Sequence, residues 1–121
     1  MNDLKKINDQ HGHRSGDLAI VRFTSDLRAA FPPESVFFRM GGDEFMCILY
    51  DMSGEKIAAC IAGLRAGLAA SPLTLADGAS AALAFSCGFA EHEACVSSDR
   101  AFQEADHLMY EEKRRMKQGS R

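Results

Sequence analysis

The chain has 121 residues, enough for one domain with a modest single core. Its 46% hydrophobic and 26% charged residues are ordinary for a globular protein, and a formal net charge of −3 excludes the basic excess that a nucleic-acid backbone calls for. A small anionic ligand stays open, since it needs only a local cluster of cations and backbone amides.

None of Cys47, Cys60, Cys87 and Cys95 forms a C-x-x-C pair, which argues against a zinc site and for free thiols in a reduced, cytoplasmic setting. No apolar run has the length of a signal peptide or a membrane span, so any membrane anchor is expected outside this chain.

In chain order, Met1 to Asp17 is polar and short on periodicity, and reads as a loop or one helical turn that ends at a Gly-Asp helix entry. From Asp17 to Ala30, Leu18, Ile20, Val21, Phe23, Leu27 and Ala30 fall at helical spacing, and Phe31-Pro32-Pro33 stops the helix. Val36 to Phe38 and Phe45 to Tyr50 predict two strands joined at Gly41-Gly42, a hairpin whose tip carries Asp43 and Glu44. Ser53 is placed to cap a helix over Glu55 to Ala69, with Ile57, Ile61, Leu64 and Leu68 on its inner side, ended by Ser71-Pro72. Ala82 to Phe89 predicts a buried strand and Glu91 to Ser98 a polar loop. Asp99 is expected to cap a last helix running to about Lys117, with Ala101, Ala105, Leu108 and Met109 inside. Strands alternating with helices give an α/β class, an α+β sandwich in which helices pack on a sheet.

Two clusters carry chemistry. Arg39-Met40-Gly41-Gly42-Asp43-Glu44-Phe45 puts two carboxylates directly after two glycines. Glycines let a ligand approach the backbone closely, and paired carboxylates are hard oxygen ligands of the kind Mg²⁺ takes. Alone, this string reads equally as a charged turn. The second cluster is Lys5-Lys6-Ile7-Asn8-Asp9, then Gly12-His13 and Gly16-Asp17. These are turn formers before a helix, yet an Asn and an Asp together also match the edge of guanine. The amide donates to O6 or N7, and the carboxylate accepts from N1–H and the exocyclic amine.

Together these strings resemble the GGDEF family, the catalytic module of diguanylate cyclases. L-K-K-I-N-D-x-x-G-H-x-x-G-D is followed by R-x-G-G-D-E-F, then by Phe85-Ser86-Cys87-Gly88-Phe89 and by Ala105-Asp106 to Met109-Tyr110 and Lys113. The resemblance runs from Met1 to Lys117. It implies a fold like that of nucleotidyl cyclases and polymerase palms, with a central, mostly antiparallel sheet flanked by helices. The function it implies is condensation of two GTP into cyclic di-GMP with release of pyrophosphate, in bacterial second-messenger signalling.

The resemblance also implies roles. Asp43 binds metal and helps activate the 3′-hydroxyl, and Glu44 is its companion acid. Lys5 stabilises charge on the phosphates. Asn8 and Asp17 read guanine, His13 lies near the nucleotide, and Gly41 and Gly42 admit it. Lys113 and Lys117, on one face by their i, i+4 spacing, hold phosphates. His11, His92 and His107 are left as surface residues. Two Mg²⁺ (or Mn²⁺) ions per active site, a homodimer of two half-sites and an upstream sensory or regulatory domain complete the implied system.

The chain departs from the pattern in two places. The family's other metal-binding Asp would precede Met1, which takes the position whose backbone carbonyl is a ligand. The family's N-terminal helix and most of its first strand are also missing, so the chain as given is expected to be a weak or inactive cyclase. The inhibitory R-x-x-D element falls on Pro32 and Ser35, so no inhibitory site is expected. The rival reading is a non-catalytic, GTP-binding regulatory module that controls a neighbouring phosphodiesterase or effector domain.

Overall fold

The computed structural model describes residues 1–90 and 98–119. In order the elements are α1 (Leu4–His11), α2 (His13–Ala30), β1 (Val36–Arg39), β2 (Phe45–Ile48), α3 (Gly54–Ala70), β3 (Leu73–Thr74), β4 (Ser80–Ala81) and α4 (Ser98–Gly119). The backbone falls into two compact units, Met1–Ala84 and Phe85–Arg121.

In the first unit, the segment expected to be a loop is the eight-residue helix α1, and α2 begins at His13 rather than Asp17. Leu4 is buried and Ile7 half-buried at i, i+3, which gives α1 an inner edge despite its polar composition. Gly12, at φ 87°, makes the break between the two helices. That left-handed value is open to glycine at little cost, and the Gly12 carbonyl accepts from the amides of Ser15 and Gly16 as α2 starts.

The buried stripe of α2 is Ser15, Ala19, Phe23 and Leu27, each four residues on from the last. Leu18 and Val21, expected inside, are 39% and 67% exposed. The small Ser15 and Ala19 take inner positions, and at Ser15 the Ala76 backbone comes within bonding distance. The Ser15 hydroxyl donates to the His11 carbonyl at 3.0 Å and accepts from the Ala76 amide at 3.1 Å.

The predicted hairpin is present: β1 and β2 pair antiparallel, with Val36 opposite Ile48 and Arg39 opposite Phe45. Phe37, Arg39, Phe45 and Cys47 share one face. There Phe45 meets Phe23 of α2 with ring centroids 5.2 Å apart, and Phe37 meets Phe31 at 6.4 Å. Burial pushes the Cys47 thiol up to about 11, so it stays protonated at neutral pH and acts as a small apolar group. Ser53 caps α3 by accepting from the Lys56 amide at 3.2 Å, and Leu64 and Leu68 are buried while Ile57 and Ile61 are half-buried.

A second two-stranded antiparallel sheet, β3 with β4, turns through Asp77 and Gly78 and was not legible in the sequence. Its turn is tied to the first helices. His11 Nδ1 and Asp77 Oδ2 are 2.7 Å apart, and Asp77 Oδ1 accepts from the Ala79 amide at 3.0 Å. The bond from His11, with help from that amide, holds the Asp77 carboxyl below the usual carboxylate range. His11 is therefore half-buried and partnered rather than a plain surface residue.

The strand expected over Ala82 to Phe89 is not formed. A strand exists only through a ladder to a neighbour. In the first unit, the Ala84 carbonyl accepts from the Asn2 amide at 2.8 Å. In the second unit, the Cys87 amide donates at 3.0 Å to the Glu112 carboxylate, a side chain rather than a strand carbonyl.

Described by itself, that second unit lays its residues before position 91 along α4. The Ser86 hydroxyl donates to Met116 Sδ at 3.4 Å. Gly88 lies so close to the helix that an added Cβ would sit 2.6 Å from the Leu108 Cβ. Ala101, Ala105 and Met109 are half-buried as expected, whereas Leu108 is 38% exposed. Because α4 starts at Ser98, Asp99 lies inside its first turn and not at the cap, where its charge still suits the helix dipole. The polar loop expected over Glu91 to Ser98, with His92 and Cys95, lies outside the described residues apart from Ser98. No helix among the described residues is long and apolar enough to cross a membrane.

Two predictions follow from the first unit. Leu68 is 1% exposed, so Leu68→Ala should cost about 2–5 kcal/mol, read as a fall in the urea midpoint without a change in slope. Asp77 should titrate at a lower pH in wild type than in His11→Ala, followed by the carboxyl carbon in NMR. A depressed folded-state value means the Asp77 link contributes above the ordinary carboxylate pKa. Its contribution is lost as pH falls through the depressed one, so acid should release the β3–β4 turn first.

Candidate active site

The signature string forms the tip of the β1–β2 hairpin. The loop closes with the Met40 amide donating to the Glu44 carbonyl at 2.8 Å, leaving Gly41, Gly42 and Asp43 between. Neither glycine has the left-handed φ that would demand glycine, and a Cβ at either would meet nothing within 4 Å. The turn itself therefore does not need them. What they do is keep the space over the turn open.

Asp43 is half-buried and Glu44 exposed. The Met1 nitrogen donates to the Asp43 carbonyl at 2.8 Å, so the structure brings together the two residues assigned to metal. Met1 itself is 7% exposed. Arg39 bends back over the turn, donating from Nη2 to the Gly42 carbonyl at 2.9 Å and from Nε to the Gly41 and Gly42 carbonyls at 3.2 Å each. Phe45 anchors the tip through its ring contact with Phe23. Among the described residues, no three His, Cys, Asp or Glu side chains gather as a metal site.

The second cluster forms the corner between α1 and α2. The Asn8 side chain lies directly on Gly16, where a Cβ would collide with its amide oxygen and stand 2.8 Å from its Cγ. Gly16 thus makes room for the Asn8 carboxamide, and Asp17 is the next residue, exposed. Asn8 and Asp17 are in this way brought to one corner. Lys5, exposed, stands three residues before Asn8 on α1, which puts the two on neighbouring positions of one helix face. His13, also exposed, opens α2.

Lys113 is half-buried and Lys117 exposed on α4 of the second unit, at i, i+4. His107 is exposed, with Nε2 3.2 Å from Glu111. The segment from Pro32 to Ser35 is a turn, closed by the Ser35 amide on the Pro32 carbonyl at 3.0 Å. Sequence reading missed the buried Ser15, although its place four residues before Ala19 in the α2 stripe was a usable signal. It also gave Arg39 no task.

The family model described as "Diguanylate cyclase, GGDEF domain" matches residues 1–119. The diguanylate cyclase DgcN of Escherichia coli K12 is 30% identical over 111 residues, covering 92% of this chain and 27% of that protein. The diguanylate cyclase TpbB of Pseudomonas aeruginosa PAO1 is 30% identical over 119 residues, covering 98% of this chain and 27% of that protein. The chain thus spans about a quarter of the length of these relatives. Among solved structures, the GGDEF domain of DgcB from Caulobacter crescentus, in complex with c-di-GMP, superposes with a TM-score of 0.86 at 27% identity, covering 93% of this chain and 67% of that one. On its matched length, its ordered motifs and its α/β fold, this chain belongs to the GGDEF family.

Proposed function

We propose that this domain condenses two GTP molecules into cyclic di-GMP, as a diguanylate cyclase in second-messenger signalling. The observation that carries the reading is the open Gly41-Gly42 turn. Neither backbone strain nor packing among the described residues calls for glycine there, and the open space lets a ligand approach the backbone closely beside two carboxylates. Asp43 and Glu44 stand beside that approach.

In this reading Asn8 and Asp17 hold the guanine edge, with His13 near the nucleotide. The 3′-oxygen of one GTP attacks the α-phosphorus of the other, and the bond to pyrophosphate breaks; a second, reciprocal attack closes the ring. Asp43 and Glu44 help take the 3′-proton, and Lys5 balances charge on the phosphates. Lys113 and Lys117 are proposed as phosphate-binding cations from the family pattern and their shared helix face.

The donor set at the hairpin tip suits a hard cation. One or two carboxylates completed by a backbone carbonyl and substrate phosphates is a common Mg²⁺ arrangement, and Asp43, Glu44 and the Met1 carbonyl supply that protein share. Bound there, Mg²⁺ (or Mn²⁺), proposed as two ions per active site, would neutralise charge on the attacking and leaving oxygens. Each domain holds one GTP, so turnover needs two copies facing each other as a homodimer. An upstream sensory or regulatory domain is proposed to bring them together.

The test is formation of cyclic di-GMP from GTP and Mg²⁺ by the full-length protein, with Asp43→Asn as control. Product that disappears in the control is the expected result. GTP binding without product would instead favour a regulatory module acting on a neighbouring domain.

Two finer outcomes are expected. Asp17→Ala and Asn8→Ala should narrow the preference for GTP over ATP, since a hydrogen bond to a charged partner contributes on the order of 1.5–3 kcal/mol. Gly16→Ala should do the same by displacing the Asn8 carboxamide, and equal discrimination in all three variants would refute the assignment. Gly42→Ala should keep the wild-type melting temperature, or raise it slightly through the less flexible unfolded chain, while GTP affinity falls. Loss of stability with affinity retained would reverse that reading.

A further inference from the structure

The signature arginine has no part in the chemistry above, yet it makes the densest set of polar contacts at the hairpin tip. One guanidinium bonds two successive carbonyls, those of Gly41 and Gly42, at 3.2, 3.2 and 2.9 Å. We propose that Arg39 is a positioning residue that turns the Gly42 and Asp43 amides toward the GTP phosphates by holding the Gly41 and Gly42 carbonyls on its own side. This rests on the proposed cyclase reading and adds to it the means by which the turn is shaped.

No described peptide bond is cis. In a trans peptide plane the carbonyl and the following N–H point in opposite directions. Drawing the Gly41 and Gly42 carbonyls toward the guanidinium therefore sends the N–H of Gly42 and of Asp43 away from it. Two successive amides on one side of a turn form a concave donor pair of the kind that binds phosphate oxygens.

The turn does not hold this shape unaided. Besides the Arg39 bonds it is tied by the Met40–Glu44 bond and by the Met1 nitrogen on the Asp43 carbonyl, neither of which falls on the two glycines, and no described side chain packs where their Cβ atoms would be. Glycine loses more freedom on ordering than any other residue, so an open Gly-Gly turn needs an external tie to stay in one conformation. The planar fork of arginine spans two acceptors at once, and the point charge of lysine does not reproduce that geometry. The cost of ordering the turn is then met on folding and not on ligand binding.

The test uses the full chain, isotope-labelled, with Mg²⁺ and a GTP analogue carrying a non-hydrolysable α,β linkage. In Arg39→Gln and in Arg39→Lys, the free-state amide signals of Gly41, Gly42 and Asp43 should shift and lose rigidity in the heteronuclear NOE. Signals of α3 should stay in place, and analogue affinity should fall about 10-fold. A merely structural role would spread the changes through the core and lower the melting temperature, which would overturn the proposal. Turn amides unchanged in both variants would overturn it too, as would full affinity in Arg39→Lys with a loosened turn, the mark of a direct charge contact. If the wild-type chain binds no analogue, the cyclase reading fails by itself. A turn loosened in both variants would still bear out Arg39 as its tie.

Discussion

The contact between Phe45 and Phe23 is the constraint on which the candidate site depends. Two four-residue strands joined by a glycine-rich loop make a hairpin that is marginal in water when isolated. Its tip becomes a fixed platform because the residue after Glu44 puts an aromatic ring 5.2 Å from that of the buried Phe23 on α2. An aromatic pair at that spacing adds about 0.5–1.5 kcal/mol beyond its area. More usefully, it ties the carboxylate-bearing loop to the helix whose first turn carries Asp17. The Phe of the signature is therefore an anchor, and the proposed chemistry rests on the four residues ahead of it.

Glycine serves three different ends within this short chain. Gly12 supplies a backbone conformation that other residues adopt only with strain, and so allows α1 and α2 to meet at a corner. Gly16 has ordinary helical geometry but leaves a gap that the Asn8 side chain fills. Gly41 and Gly42 do neither, and no described atom lies within 4 Å of where their Cβ atoms would be. The same residue type thus marks a bend, a packing contact and an open approach. The third is the feature on which the proposed ligand approach rests.

The α1–α2 corner is held from behind. Ser15 bridges the His11 carbonyl and the Ala76 amide, and His11 is itself paired with Asp77, so the β3–β4 turn buttresses the segment that presents Asn8 and Asp17. Exposed ion pairs contribute little singly, about 0–1 kcal/mol. The buried Ser15 bridge gives the His11 pair a fixed frame. The exposed residues of the corner can then bind ligand without also having to hold the fold.

The sequence by itself determined the family, the hairpin, the Ser53 cap and the residues assigned to chemistry. Each of these is local: a turn between β-branched and aromatic runs, a hydroxyl ahead of a helix, or a string of motifs in fixed order. It misread the first seventeen residues because a helix with only Leu4 and Ile7 on its inner edge has too short an apolar pattern to detect. It counted Leu18 and Val21 in the apolar pattern of the helix because periodicity weighs size, whereas the small Ser15 and Ala19 are the residues that the fold buries beside Phe23 and Leu27. The rest of Asn8 on Gly16, the Met1–Asp43 bond and the His11–Asp77 pair join groups by their placement in space. The last two span 42 and 66 residues of chain. No local propensity encodes such pairings; they exist once packing of α1, α2 and the two hairpins has fixed which backbone meets which.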